Sequence, residues 1–451
     1  MSDHVLDELA WRGLIAHATD LDALRAEMAR GPISVYCGFD PTAPSLHMGN
    51  LLQILTLRRL QDGGHRPFGL VGGATGMIGD PKAGSERSLN TLDVVTSWTE
   101  AIRGQLARFL SFEGDNAAVV VNNYDWTASL STIDFLRDIG KHFPINKMLA
   151  RDVVRSRLEA GISYTEFSYV LMQSLDYLNL YRDHSVTLQT GGSDQWGNIT
   201  AGAELVRRVT GARVHALATP LVTRADGTKF GKTEAGTIWL DAAMTSPYAF
   251  HQFWLNADDR EVVPLLRYFT FRTREEIADL ERQLVDAPAL RAAHRTLADD
   301  VTALVHGPEQ TARVTAAAAA LFGSGDLRSL DAPTLESALL EAPHLSVSPE
   351  EPLPTYADLL AQTGLVASKG AARRTVSEGG AYVNNARIED ADSRPQTRDL
   401  LAGGWVLLRR GRRNLAGVKV TRTTGRTGLE SGDVVATIGG PASSPDPTNA
   451  S

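Results

Sequence analysis

Ile33-Ser34-Val35-Tyr36-Cys37, followed by Gly38-Phe39-Asp40-Pro41-Thr42-Ala43-Pro44-Ser45-Leu46-His47-Met48-Gly49-Asn50, is the stretch whose reading decides the fold. Residues 33–37 form an apolar, partly β-branched run that reads as a buried strand. The Gly- and Pro-rich residues 38–49 read as a loop. From 51 to about 61, Leu and Ile alternate with Gln, Thr and Arg in an apolar helix stopped by Gly63-Gly64, and residues 67–71 form another short strand. Strand, loop, helix and strand within roughly forty residues is the βαβ rhythm of a parallel sheet with helices on both faces. The expected fold is therefore α/β, a Rossmann-like doubly wound parallel sheet.

Working outward from this unit, Leu21, Leu24, Arg25 and Met28 share one face of a helix capped by Asp20. Residues 258–322 are acidic and patterned as helices. Prolines at 343, 349, 352 and 354 mark a linker within 336–354. A compact basic unit follows over 355–422, expected to be a small α+β module. Residues 423–451 lack aromatic side chains and are rich in Gly, Ser, Pro and Thr, which predicts a disordered tail. The expected organisation is a catalytic domain over 1–225 with an insertion at about 125–165, a helical domain over 226–335, the linker, the module and the tail.

The chain has 451 residues, 43% of them apolar and 22% charged, so it can bury a sizeable core and is not a disordered or fibrous protein. No run reaches the roughly 18 apolar residues that a membrane helix needs, and no membrane partner is expected. Cys37 is the single cysteine, which excludes an internal disulfide and a thiolate metal cage and suits a reducing cytoplasm. No protein-bound metal site is expected. The net charge of −8 is uneven: residues 355–424 carry +6, leaving −14 on the rest. A basic unit on an acidic body reads as a local polyanion-binding surface, although a solvated charged face would look the same by charge alone.

Two strings imitate nucleotide motifs. Gly227-Thr228-Lys229-Phe230-Gly231-Lys232-Thr233 has three residues between its glycines where a P-loop needs four, and Gly73 to Gly79 lacks the G-x-G start of a dinucleotide fingerprint. The chemistry starts instead where the 51–61 helix opens. A helix N-terminus offers unpaired N–H groups and a positive dipole end, both suited to phosphate. Gly49 allows close approach of a ring, and His47 and Asn50, three apart, can point at one anion. Lys229 and Lys232 form the second element. With seven lysines against thirty-eight arginines in the chain, two within four residues stand out. Together with Thr233 they can follow charge developing on a leaving pyrophosphate.

The pair His47-Met48-Gly49-Asn50 and Lys229-Phe230-Gly231-Lys232-Thr233 resembles the signature motifs of class I aminoacyl-tRNA synthetases. Tyr36-Cys37-Gly38-Phe39-Asp40-Pro41-Thr42 and Gly191-Gly192-Ser193-Asp194-Gln195-Trp196-Gly197-Asn198 extend the resemblance to the bacterial tyrosyl-tRNA synthetase family, over residues 1–422. Two positions depart from the commoner pattern: Asn50 stands for a second histidine and Met48 for an isoleucine.

The resemblance implies activation of L-tyrosine by ATP with Mg2+, giving tyrosyl-adenylate, and then transfer to the terminal adenosine of tRNA(Tyr) by a homodimer. DNA is not an expected partner. It implies that Tyr169, Gln173 and Asp80 hold the amino group of tyrosine, that Tyr36 and Asp176 bind its hydroxyl, and that Gln195 lies near its carboxylate. Thr42, His47, Lys229, Lys232 and Thr233 would serve the phosphates, Asp194, Cys37 and Gly192 the ribose, and Gly49 and Asn50 the adenosine, with Gly38 and Asp40 also at the nucleotide. Either Lys82 or Arg87 would meet pyrophosphate. Residue spacing agrees for the amino-acid pocket: in a helix over 164–181, Tyr169, Gln173 and Asp176 make a polar stripe opposite Phe167, Val170, Leu171, Leu175 and Leu178.

In the C-terminal unit, Ser368 caps a helix bearing Lys369, Arg373 and Arg374, and Arg409, Arg410, Arg412 and Arg413 follow a strand at 405–408. This unit resembles a small RNA-binding module that reads backbone charge and shape. Competing readings are a tryptophan-specific relative, a nucleotidyltransferase, and a paralogue reduced to RNA binding.

Lys232→Ala is expected to cut adenylate formation severely while nearly preserving tyrosine binding, measured by pyrophosphate exchange and equilibrium binding; equal losses in both would remove Lys232 from the transition state.

Overall fold

The strands of the larger sheet are β1 (His17–Ala18), β2 (Ser34–Phe39), β3 (Arg66–Val71), β4 (Val119–Asn122), β5 (Val186–Gly192) and β6 (His215–Thr219). They lie in the order β1-β6-β5-β2-β3-β4, with β2 to β6 mutually parallel and β1 antiparallel at the edge. Tyr36 on β2 stands opposite Phe68 on β3 and Gln189 on β5. Val35, Tyr36, Cys37 and Phe39 are all buried, as expected for a strand covered on both faces.

The computed structural model describes residues 4–81, 90–159, 161–224, 227–228, 230–233, 236–323, 325–349, 352–411 and 414–421, with the backbone alone at 232 and 233. The tail expected over 423–451 lies outside them, as do Lys82 and Arg87. Among the described residues no helix is long and apolar enough to cross a membrane. The chain divides into two units, Met1–Glu341 and Ala342–Ser451.

In the first unit the helix Met48–Asp62 crosses from β2 to β3 and is buried around most of its circumference, through Met48, Leu51, Leu52, Ile54, Leu55, Leu57 and Leu60. It can be so because a second layer covers it. The helices Pro247–Leu255, Val262–Phe269, Arg274–Asp286 and Ala292–His306 share one hydrophobic core with it, running from Leu6 through Leu51 and Ile54 to Phe250, Trp254 and Leu297. The division drawn at 225/226 is therefore not a break in packing. Arg12 ties the same parts together. It is 3% exposed, pairs with Glu8, and donates to the carbonyls of Arg267, Thr270 and Arg272, where the 262–269 helix ends. Arg59 donates to Thr270 as well. Cations at a helix C-terminus satisfy carbonyls that have no partner within the helix.

The segment between β4 and the helix Tyr164–His184 is a string of short helical pieces, among them Ile145–Leu149 and Asp152–Arg155. It leaves large apolar side chains exposed, including Ile133, Leu136, Ile145, Leu149 and Leu158.

The second unit contains β9 (His344–Val347), β10 (Ala381–Val383), β11 (Ala386–Arg387), β12 (Trp405–Arg410) and β13 (Asn414–Val420), in the order β11-β10-β12-β13-β9. The helices Tyr356–Gln362 and Lys369–Ser377 bring Leu359, Leu360 and Val376 into one core with Val406, Leu408 and Val418. The stretch 336–354 is more than a linker. It holds the end of the helix Ala332–Leu340 and then β9, an edge strand parallel to β13. Pro343 fits because it lies just before that edge strand and lends its carbonyl to Gly417.

Arg12→Met is expected to destabilise the protein by about 2 kcal/mol, because the part-buried carbonyls of Arg267 and Arg272 lose their donor while Thr270 keeps Arg59. Chemical denaturation of the full chain measures this.

Candidate active site

The first and second motifs meet. His47 is the N-cap of the Met48–Asp62 helix: its Nδ1 accepts from the Gly49 N–H at 3.0 Å, and the Asn50 Oδ1 accepts from the His47 N–H at 3.1 Å. This capping box corrects the expectation that both side chains point at one anion, because the Asn50 oxygen is turned back to the helix start. Since Nδ1 accepts, the neutral His47 ring carries its proton on Nε2. Residues 238–240 run beside this turn, the Met48 N–H bonding to Ile238 O and the Leu240 N–H to Leu46 O. From that strip hangs the hairpin of β7 (Lys232–Thr233) and β8 (Gly236–Thr237).

Gly231 joins the hairpin to the helix mouth. It has φ +82°, and a Cβ there would stand 2.9 Å from Met48 Cβ. Only glycine combines that backbone conformation with such close approach. Phe230 sits against Phe253, Trp254 and Phe269, with ring centroids 5.0, 5.5 and 6.1 Å away. The lysine-bearing segment is thus anchored next to His47, although nearly two hundred positions separate them in sequence. Lys229 and the side chains of Lys232 and Thr233 lie outside what the structure describes. Thr42 and Gly49 are exposed, and Asp40 and Asn50 half-buried, around the same opening.

In the polar stripe on the helix Tyr164–His184, Tyr169 and Asp176 are buried and Gln173 is half-buried. Ser163 caps this helix by accepting from Glu166 N–H. Asp176 is 2% exposed and accepts from Asn123 Nδ2 and Trp126 Nε1, both at 3.0 Å. Burial pushes its carboxyl up to about 8, against the effect of those two donors. The Tyr36 hydroxyl is buried without a hydrogen-bond partner, and burial and then Asp176 raise its phenol well above the ordinary range. The Tyr169 hydroxyl donates to Asp40 Oδ2 at 2.7 Å, and Thr75 donates to the other Asp40 oxygen at 2.7 Å. Gln173 Oε1 is likewise buried without a partner.

Asp80 is near enough to Tyr169 for its charge to help raise that phenol. Its oxygens accept from Gln195 Nε2 at 2.9 Å and Asn198 Nδ2 at 3.1 Å. These groups gather near the carboxyl ends of β2 and β5, where the strand order reverses, with carboxylates beside buried polar atoms of Tyr36 and Gln173 that lack partners. Such atoms buried together are suited to a ligand that supplies the missing hydrogen bonds.

Gly38 is exposed on β2, and Gly192 and Asp194 stand at the end of β5. Cys37, between Tyr36 and Gly38 on β2, is 2% exposed and packs in the main core, and burial pushes its thiol up to about 12, so it is a neutral thiol. Thr75, Asn123, Trp126 and Arg151 escaped the sequence reading. Asn123 follows the end of a parallel strand, a position that marks sites in this fold and could have flagged it. Asn198 was within a quoted motif but had no assigned role.

In the C-terminal unit several of the basic side chains are already paired. Lys369 bonds Asp358, and Arg373 makes a forked contact with Asp392, with Nη2 at 2.8 Å. Arg374 is exposed. Arg410 donates to Leu365 O, whereas Arg409 is 8% exposed and lies 4.9 Å over the Tyr382 ring. Arg409 therefore belongs to the module's interior rather than its surface, a correction that follows from strand alternation. Arg412 and Arg413 lie outside the described residues.

A doubly wound sheet with a His-capped helix mouth and a lysine hairpin at its switch point defines the class I synthetase type of catalytic domain. Residues 28–323 match the family model described as tRNA synthetases class I (W and Y), and residues 335–418 match the tyrosine–tRNA ligase SYY-like C-terminal domain. A Streptomyces avermitilis protein named tyrosine–tRNA ligase is 61% identical over 420 residues, 92% of this chain and 99% of that one. Its Mycobacterium tuberculosis namesake is 58% identical over 422 residues, covering 93% and 99%. Among solved structures, a C-terminally truncated mitochondrial tyrosyl-tRNA synthetase of Aspergillus nidulans matches with TM-score 0.63 and 29% identity, over 69% of this chain and 92% of that one. The chain belongs to the tyrosine–tRNA ligase family of class I aminoacyl-tRNA synthetases.

Asp176 ionises at higher pH in the folded chain than in the unfolded one, so its contribution to stability is full below about pH 4 and is lost as pH rises towards 8. Asp176→Asn removes that cost, and thermal unfolding without ligand should show a stabilisation that is larger at pH 8 than at pH 5.

Proposed function

We propose that this chain activates L-tyrosine with ATP and passes it to tRNA(Tyr), using the residues of the β2–β5 cleft. The observation that carries the reading is the buried, unpartnered Tyr36 hydroxyl whose phenol feels the Asp176 carboxylate. A substrate phenol would complete this pair. Phenylalanine would leave the Tyr36 hydroxyl desolvated and unpaired and would give Asp176 no further donor, and an indole offers a donor but no acceptor. Asp80, Tyr169 and Gln173 would hold the substrate ammonium, and Gln195, held on Asp80, would border its carboxylate.

In the first step a carboxylate oxygen of tyrosine attacks the α-phosphorus of ATP. The bond from that phosphorus to the bridging oxygen breaks, and pyrophosphate leaves. The nucleophile is already ionised, so positioning and charge stabilisation carry the rate. Magnesium enters with the ATP phosphates as part of the substrate. His47 Nε2–H and the exposed Thr42 would meet phosphate oxygens at the helix mouth. Lys229, Lys232 and Thr233 would follow the charge moving onto pyrophosphate, joined by Lys82 or Arg87. Gly49 and Asn50 would border the adenosine, and Gly38, Asp40, Gly192 and Asp194 the rest of the nucleotide. In the second step a hydroxyl of the terminal tRNA ribose attacks the adenylate carbonyl, and AMP leaves.

For the C-terminal unit the reading is RNA backbone binding through Arg374, Arg410 and the paired Lys369 and Arg373, with Arg412 and Arg413 beyond them; a DNA partner is not part of it. The exposed Ile133, Leu136, Ile145, Leu149 and Leu158 support a homodimer that covers the insertion. A cytoplasmic setting belongs to the same reading, and a chain with one cysteine suits a reducing compartment.

Pyrophosphate–ATP exchange tests the reading. Exchange should depend on tyrosine and stay near background with phenylalanine or tryptophan. Equal exchange with tryptophan would reassign the substrate, and no exchange with any of the three would favour an RNA-binding paralogue.

A further inference from the structure

We propose that Arg151, from the insertion, is a positioning residue for the amino-acid site, fixing through Asn198 the carboxylate that receives the substrate ammonium; this rests on the reading of Asp80 as that carboxylate. An Arg151 Nη2 donates to Asn198 Oδ1. Asn198, 2% exposed, donates through Nδ2 to Asp80 Oδ1 at 3.1 Å and to Gln195 Oε1 at 2.9 Å. Gln195 then donates through Nε2 to Asp80 Oδ2 at 2.9 Å.

The direction of every bond in this relay is forced. Arginine has five donors and no acceptor, and an ionised carboxylate only accepts. The two amides between them can satisfy both ends in one orientation alone. Each Asp80 oxygen is thereby held by one amide and keeps a lone pair for an ammonium. Without Arg151 the buried Asn198 Oδ1 loses its donor, and the side chain that holds Asp80 is free to turn.

Arg151 is suited to this task by its surroundings. Its side chain rests against Gly197, where a Cβ would come within 3.4 Å of Nη2. Burial lowers the pKa of its guanidinium and the Asp80 charge opposes that, so the two groups feel each other without touching. On the other side Arg151 lines a cavity of about 340 Å³ with Met148, Val170 and Arg208. A different side chain at 151 therefore opens no new void in the core. Arg151 itself repels an incoming ammonium, so the orienting effect has to outweigh that repulsion, which is reduced because Asn198 and the Asp80 carboxylate stand between the two cations.

The test compares equilibrium binding of L-tyrosine and of its desamino analogue, 3-(4-hydroxyphenyl)propionate, to the full chain without ATP. Arg151→Met should weaken tyrosine about tenfold, the scale of one lost charge-assisted hydrogen bond, and leave the analogue within about twofold. Arg151→Lys, which keeps a charged donor, should recover most of the loss. Equal weakening of both ligands, or of neither, overturns the positioning role. Asp80→Asn separates this from the underlying reading: if it fails to distinguish the two ligands, the ammonium assignment falls, whereas if it distinguishes them and Arg151→Met does not, Asp80 keeps its role and Arg151 loses its own.

Discussion

The reversal of strand order between β2 and β5 is the constraint on which the rest depends. From β2 the chain winds outward through β3 and β4, then returns to build β5 and β6 on the opposite side. The loops leaving β2 and β5 must therefore diverge, and a crevice opens at their carboxyl ends whatever their sequences. The fold supplies that opening, and its residues decide what it can hold. Tyr36 and Asp40 come from β2 and its loop, Asn123 from the end of β4, and Gly192 to Asn198 from the end of β5. The helix Tyr164–His184 adds Tyr169 and Asp176, both buried, and the half-buried Gln173 between them.

A carboxylate as deeply buried as Asp176 is costly to keep, and its surroundings show how that cost is met. Asn123 and Trp126 each give it a donor, yet burial still prevails and its carboxyl remains hard to ionise. Asp40 is treated differently: two hydroxyls, from Thr75 and Tyr169, occupy its oxygens. Gly72 makes room for that arrangement, because a Cβ there would lie 2.1 Å from Asp40 Oδ1.

Much of the architecture was legible in the sequence because local rules act there. Asp20 and Ser368 each cap the helix they were placed before. The apolar run at 33–37, the Gly-Pro loop and the Leu-rich helix became β2, the helix mouth and the crossover. Two of the motifs also proved to be neighbours, the His47 turn and the segment at Gly231. What could not be read were contacts that depend on three dimensions. Nothing local says that Thr75 meets Asp40, that Trp126 meets Asp176, or that Arg151 meets Asn198. Charge counting failed for a related reason: it cannot tell that Arg373 faces Asp392 or that Arg409 points inward over Tyr382. Proline counting missed β9, since prolines flank an edge strand as readily as they make a linker.

The cap at His47 has a consequence for how charge is distributed. An imidazole that accepts an amide hydrogen through Nδ1 has no lone pair left to take up a second proton there, so the capped ring and an imidazolium exclude each other. The helix mouth itself then offers dipoles and neutral donors, and any full positive charge at this opening has to come from other parts of the chain. An anion resting on the helix alone is met by shape and partial charge.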